Sequence, residues 1–173
     1  CMNDTFKESL YDAAQMIIST YNSQGKVMLA GNGGSAADAQ HICAELVGRL
    51  NFDRNPLPAI ALTTNTSNLT CIANDYGYED IFTRQFNALA QPNDTLVVYT
   101  TSGKSPNVLS LLESAHTKIK NIIALTGKNT DHLKAFSKVI ISVNSSSTTK
   151  IQEIHAIAGH IICECVEDSL FKK

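Results

Sequence analysis

Apolar residues recur along this chain in two rhythms. Over residues 3–22, Phe6, Leu10, Ala13, Ile17 and Ile18 return at spacings of three and four, which predicts an amphipathic helix. Beyond it, short apolar runs alternate with helical stretches. The runs at 26–30, 58–62, 95–99, 121–125 and 138–143 predict five strands. Helices are expected over 35–50, 67–73, 81–90 and 105–116, with a short one between the fourth and fifth strands and a long one over 151–171. The strand runs are continuous rather than alternating, as in strands covered on both faces. The pattern therefore predicts an α/β fold, a five-stranded parallel sheet flanked by helices on both faces, in a flavodoxin-like three-layer sandwich. Residues 1–22 are assigned to a helix that packs in an oligomer, and residues 23–173 to a single sandwich domain. In such a sheet, ligands bind beyond the carboxyl ends of the strands where the strand order reverses, so the segments that follow the strands carry the chemistry.

After the first strand, Gly31, Asn32, Gly33, Gly34, Ser35 and Ala36 form a glycine-rich turn into a helix. Such a turn exposes backbone N–H groups and the positive end of the helix dipole, a site for phosphate or another anion. A tight turn without a ligand is the plainer alternative. The run also satisfies the loose dinucleotide fingerprint GxGxxA, which requires an acidic residue at the end of the second strand to hold a ribose. That strand leads into Leu62, Thr63, Thr64 and Asn65 with no carboxylate, which argues against a nicotinamide cofactor. After the third strand, Thr100, Thr101, Ser102, Gly103, Lys104 and Ser105 precede another helix. Four hydroxyls and a lysine around one glycine suit a phosphate ester, although Ser105 would serve equally as a helix cap. The Gly-Lys-Ser run lacks the upstream glycine and spacer of a nucleotide-binding P-loop.

The helix after the glycine loop carries His41 and Glu45, four residues apart and hence on one face. They read either as a surface ion pair or as part of a site. The closing helix carries Gln152, Glu153, His155 and His160. At ~100° per residue Gln152 and His160 lie about 80° apart, and Glu153 pairs with His160 rather better. Among Ile157, Ile161 and Ile162, His160 also reads as a core histidine. From the residues alone, the chain is a phosphate-binding α/β domain with a candidate His/Glu acid–base or metal cluster.

Composition narrows this further. Hydrophobic residues at 43% and charged residues at 17% describe a globular protein slightly poor in charge, a sign that part of its surface is covered by another subunit. A net charge of −2 argues against a nucleic-acid binder. No apolar run approaches the ~20 residues needed to cross a bilayer. The first residues are acidic and polar where a signal peptide would be basic and then apolar. The cysteines, Cys1, Cys43, Cys71, Cys163 and Cys165, form no CxxC pair and read as reduced, mostly core thiols of a cytoplasmic protein; Cys1 is given no role. A chain of 173 residues can bury a core without a metal or disulfide staple.

Taken together, these residues resemble the SIS (sugar isomerase) domain family and, more narrowly, its phosphoheptose isomerases. The similarity runs from about Lys26 to Glu167, on six motifs in order: GNGGSAADAQHICAELVGR, PAIALTTNTS, CIANDYGYEDIFTRQ, TTSGKSPNV, ALTG and KIQEIHAIAGHIICECVE. The resemblance implies an aldose–ketose isomerase that converts sedoheptulose 7-phosphate to D-glycero-D-manno-heptose 7-phosphate through an enediol, the first step of bacterial heptose biosynthesis for the lipopolysaccharide core. It implies that Asn32, Gly33, Gly34 and Ser35 contact the sugar phosphate, with Thr100, Thr101, Ser102 and Ser105 of the second loop. Asn74 and Asp75 would line the sugar pocket, and Arg49 would help set its charge. Glu45 would be the catalytic base, His160 its acid partner and Gln152 a further ligand. Members that bind zinc use the positions of His41, Glu45, Gln152 and His160, which implies one Zn²⁺ per subunit. The family habit of placing the pocket between subunits implies a homotetramer.

The chain departs from the family pattern at three places. Members usually carry a longer N-terminal helical segment, so this copy is expected to be shorter there. Thr100 stands where serine is usual, and the segment Ser145 to Lys150 lacks an aspartate and has Lys150 in place of arginine. Relatives that bind the replication initiator DnaA offer an alternative reading as an interaction protein, but they typically lose the histidine at the position of His160. A sugar-phosphate-sensing regulatory domain is a third reading, and no DNA-binding segment accompanies it.

Overall fold

The structure, a computed structural model, describes residues 4–172. Helix α1 (Asp4–Asn22) leads into β1 (Val27–Gly31), α2 (Gly34–Val47), β2 (Ala59–Ala61), α3 (Thr66–Asp75), α4 (Thr83–Leu89), β3 (Thr95–Thr100), α5 (Pro106–His116), β4 (Asn121–Thr126), β5 (Val139–Ser142) and α6 (Thr148–Phe171). The strands form one sheet in the order β2-β1-β3-β4-β5, every neighbour parallel. Every residue of β1 and β3 is buried, which is why their sequences run apolar without alternation.

Successive side chains leave a strand on opposite faces, so the sheet feeds two cores. Leu29, Val97 and Ile123 face α1, α2 and α6, meeting Ile17, Ile42 and Ile162. Met28, Leu96 and Val98 face the opposite helical layer, meeting Phe82, Phe86 and Leu111. Helix α1 buries Leu10, Ala13, Ala14, Ile17 and Ile18 in the first of these cores and packs along α6 of its own chain. The order reverses between β1 and β3, so the crevice expected to hold a ligand lies at their carboxyl ends.

Two elements fall short of the sequence expectation, whereas α6 starts three residues before it, at Thr148. The short helix expected between β4 and β5 is instead a chain of turns over residues 131–136, closed by the N–H of Leu133 on the Thr130 carbonyl (2.9 Å) and that of Ser137 on the Leu133 carbonyl (2.9 Å). Leu133 is the one fully buried side chain of that stretch, too little apolar anchorage to hold a helical turn. Helix α2 stops at Val47, three residues short of expectation, because Gly48 leaves helical backbone (φ −81°, ψ −105°) and Arg54 takes the freed carbonyls. The Arg54 guanidinium donates to the carbonyls of Glu45 (2.7 Å) and Leu46 (2.9 Å), and through Nε to Glu167 of α6 (2.9 Å). The Glu167 carboxylate also accepts the N–H groups of Leu50 (3.0 Å) and Asn51 (2.8 Å), and both side chains of the pair are almost wholly buried.

Of the cysteines, Cys1 lies outside the described residues. The other four are free thiols, Cys163 buried and Cys43 half-buried, whereas Cys71 and Cys165 are exposed on the outer faces of their helices rather than in the core. Among the described residues no helix is long and apolar enough to cross a membrane.

Candidate active site

The crevice at the ends of β1 and β3 is a cleft of about 300 Å³ lined by Asn32, Gly33, Gly34, Ser35, Tyr99, Thr100, Thr101, Ser105, Thr148 and Gln152. Its floor is made of helix starts. Gly33 caps α2 with φ +57°, backbone that L side chains rarely adopt, and the N–H groups of Ser35 and Ala36 close the first turn on the carbonyls of Asn32 and Gly33 (3.0 Å each). Ser105 stands at the cap position of α5 with Pro106 at N1, but its hydroxyl makes no capping bond and remains free for the cleft. The hydroxyl of Thr100, by contrast, accepts the Gly103 N–H (3.2 Å) and shapes its own loop. Ser102 is exposed, its hydroxyl accepting from the Lys104 N–H (3.1 Å). Burial raises the Tyr99 hydroxyl well above its ordinary value, so the lining is neutral at any physiological pH. Neutral donors and two positive helix ends with no competing carboxylate make a site for an anion.

A second cluster sits further along α2. His41 Nε2 lies 3.2 Å from Glu45 Oε1 and 3.3 Å from His160 Nε2 of α6, with the imidazoles edge to face at 4.8 Å between centroids. One ligand atom from each of the three residues falls within 4.8 Å of the other two. Two imidazole nitrogens aimed at each other are satisfied by one shared proton or one cation, and two histidines with a carboxylate form a three-ligand set that suits Zn²⁺. The helices can approach this closely because Gly159 faces Ile42, where an added Cβ would stand 2.6 Å from Cδ1. α2 and α6 therefore run side by side in the same direction, Gln152 beside Gly34, His160 beside His41 and Glu167 beside Leu50.

The remaining candidates divide between these places and the surface. Gln152 lies over Gly34 in the anion cleft, two helical turns and about 12 Å before His160. Glu153 is exposed, so the spacing that favoured it over Gln152 does not bring it to the cleft. Asn74 and Asp75 end α3 on the surface, joined by an amide-to-carboxylate bond of 2.7 Å, and Arg49 is exposed just past α2. His160 is half-buried in the cluster. The core histidine is His155, fully buried, with Nε2 3.3 Å from the Thr126 carbonyl and a pKa pushed down to about 4 by burial.

Three groups near the site escaped the sequence reasoning. Asn107 of α5 exchanges two amide hydrogen bonds with Asn32, each 2.8 Å, and the Tyr78 hydroxyl donates to the same Asn32 oxygen (3.2 Å). Asp38 precedes His41 by one turn; burial raises its pKa, and its Oδ2 has no hydrogen-bond partner. Arg54 and Glu167 fix the end of α2 to α6 just beyond Glu45. The run of serine, proline and asparagine at the start of α5 was the one available signal for Asn107, and nothing in the sequence paired Arg54 with Glu167.

The model of the SIS domain family matches residues 2–127. A phosphoheptose isomerase of Burkholderia pseudomallei is 50% identical over 92% of this chain and 81% of its own. Among solved structures, a phosphoheptose isomerase from Francisella tularensis superposes with a TM-score of 0.88 at 37% identity, covering 93% of this chain and 86% of the other. The phosphoheptose isomerase of Neisseria gonorrhoeae does so at 0.86 and 40% identity, with the same coverage of 93% and 86%.

Proposed function

Since the chain belongs to the phosphoheptose isomerases of the SIS-domain family, it is a sugar-phosphate isomerase, and we propose a division of labour in which the cleft holds the phosphate and the His41/Glu45/His160 cluster performs the proton transfers. The reaction is the interconversion of sedoheptulose 7-phosphate and D-glycero-D-manno-heptose 7-phosphate. The observation that carries this reading is spacing. From Gly34 to His41 the rise along α2 is about 10 Å, and an extended seven-carbon phosphate measures about the same from its carbonyl end to phosphorus. With phosphate at the start of α2, the reacting carbons reach the cluster.

In the proposed mechanism the phosphate is gripped by the N–H groups of the glycine loop and by Ser35, Thr101, Ser102 and Ser105, with Thr100 holding the second loop in shape. Binding energy at that end fixes the carbons at the other. Glu45 keeps Oε1 against His41 and offers its second carboxylate oxygen as the base that removes the proton beside the carbonyl. The same oxygen returns the proton to the neighbouring carbon of the cis-enediol. His160 gives a proton to the carbonyl oxygen as the enediol forms and takes one from the neighbouring hydroxyl as the enediol collapses to the new carbonyl. Asn74, Asp75 and Arg49 are assigned to the sugar end of the pocket.

For Zn²⁺ the donor chemistry fits: His41, Glu45 and His160 would hold the ion, one per subunit. Bound there, it would polarise the substrate carbonyl as a Lewis acid. Gln152, the fourth ligand that the resemblance implies, lies two turns away within its own chain, over the phosphate end. We also propose a homotetramer. Val47 and Ile157 are large apolar side chains left 45% and 43% exposed on α2 and α6, the two helices that carry the cluster. A cytoplasmic location and a place at the start of bacterial heptose synthesis complete the reading.

Incubation with sedoheptulose 7-phosphate, followed by NMR, tests it: an aldose 7-phosphate should accumulate to equilibrium, and an unchanged ketose would contradict the assignment. Membership of this family, with the second histidine present and facing His41, disfavours an interaction protein that binds the replication initiator.

A further inference from the structure

We propose that Asn107 is a positioning residue for the anion cleft, which fixes the amide of Asn32 so that this side chain offers the ligand a hydrogen-bond donor and no acceptor. The inference rests on the phosphate-binding part of the reading above and deepens it. A carboxamide has two N–H donors and one oxygen with two lone pairs. Asn32 Nδ2 spends one donor on Asn107 Oδ1 (2.8 Å), and Asn107 Nδ2 returns a bond of 2.8 Å to Asn32 Oδ1. The Tyr78 hydroxyl takes the second lone pair of that oxygen at 3.2 Å. One N–H is all that remains of Asn32 for the cleft that it lines.

A phosphate monoester dianion carries acceptors on every side. An asparagine free to rotate would turn its carbonyl oxygen toward the phosphate in half of its orientations and repel it. Pinning the oxygen away removes that half. Asn107 can do the pinning because it is itself held, 2% exposed, in the first turn of α5. The same amide pair spans the crevice from the loop after β1 to the helix after β3, so it also sets the separation of the two donor loops. Tyr78 reaches in from an exposed position, 61% accessible, and makes the longer of the three bonds, so its share is smaller. The selectivity that follows is for phosphate esters over neutral sugars, whose hydroxyls need acceptors as well as donors.

The test uses Asn107→Leu, Asn107→Asp and Tyr78→Phe in the full chain, with inorganic phosphate as the probe in calorimetry and sedoheptulose 7-phosphate as substrate. Asn107→Leu should weaken phosphate binding about tenfold, the scale of one charge-assisted hydrogen bond. Asn107→Asp should weaken it more, since it adds a negative charge and cannot donate to Asn32. Tyr78→Phe should weaken it about threefold. KM should rise in parallel while kcat stays within about threefold, since the His41/Glu45/His160 cluster lies about two turns along α2. Phosphate affinity within twofold of the parent in folded Asn107→Leu would overturn the proposal, as would a loss of kcat at unchanged KM. Should Asn107→Leu fail to fold, the exposed Tyr78→Phe decides, and unchanged phosphate affinity there counts against the proposal. Because phosphate binding is read without turnover, a parent protein that binds phosphate but does not isomerise the ketose overturns the isomerase reading and leaves the Asn107 result standing. A parent that does not bind phosphate overturns both.

Discussion

The first turn of α2 and its third turn are built on opposite principles. At Gly33 and Gly34 the working groups are backbone N–H donors, side chains are absent or small, and the site exists because a strand ends and a helix begins. At His41 and Glu45 the working groups are side chains, and they become a site only because α6 brings His160 to within 3.3 Å. The first region is assembled from two strand-to-helix loops, and α6 adds only Thr148 and Gln152 from its first turns. The second depends on packing between helices 119 residues apart in sequence. It follows that the binding end should tolerate disturbance of α6 from Gly159 onward, and the chemical end should not.

The sharpest way to break the second region is to loosen α6. Arg54→Met leaves Glu167 buried without its cation, which should cost about 3–5 kcal/mol of stability, read as a fall in the urea midpoint. Under conditions where the variant is folded, kcat should fall while phosphate affinity holds. Gly159→Val is next, because a side chain at that position drives into Ile42 and should cost about 1–3 kcal/mol. It too should separate His41 from His160, so that zinc content measured by elemental analysis drops while phosphate binding persists.

A third prediction concerns His155, which packs α6 against β4. Burial holds its pKa down at about 4, below its ordinary 6.5. The unfolded chain therefore takes up a proton that the folded chain refuses as pH falls from 6.5 toward 4, and stability should decline across that window by up to about 3 kcal/mol. Urea melts at several pH values should show this slope, and His155→Leu should flatten it. The smallest effect is expected from metal removal. A core of this size does not depend on one ion, so chelation should lower the thermal midpoint by no more than about 4 °C and leave a single cooperative transition.

The contrast also explains what the sequence disclosed. The five strands were legible because a parallel strand buried on both faces must be a short continuous apolar run. Both donor loops were legible because glycine and hydroxyl residues between a strand and a helix have few other reasons to cluster. His41 and Glu45 were visible as a pair on one helical face. Periodicity did not separate His155 from His160 as the core histidine, nor Gln152 from Glu153 as the cleft residue, since each choice depends on how α6 is rotated against α2. That rotation is set by Gly159, by the Arg54–Glu167 pair and by the end of α2 at Gly48, contacts between positions remote in sequence. Asn107 was hidden for the same reason, its partner Asn32 lying 75 residues away.

In the proposed mechanism Glu45 does the proton transfer while the start of α2 does the binding, and one substitution separates the two. Glu45→Gln should be measured on a single preparation for phosphate affinity by calorimetry and for turnover of sedoheptulose 7-phosphate by NMR. Phosphate binding should stay within about twofold of the parent, and turnover should fall by about 10²–10⁴-fold. A folded Glu45→Gln protein that isomerises the ketose within tenfold of the parent rate would contradict that mechanism.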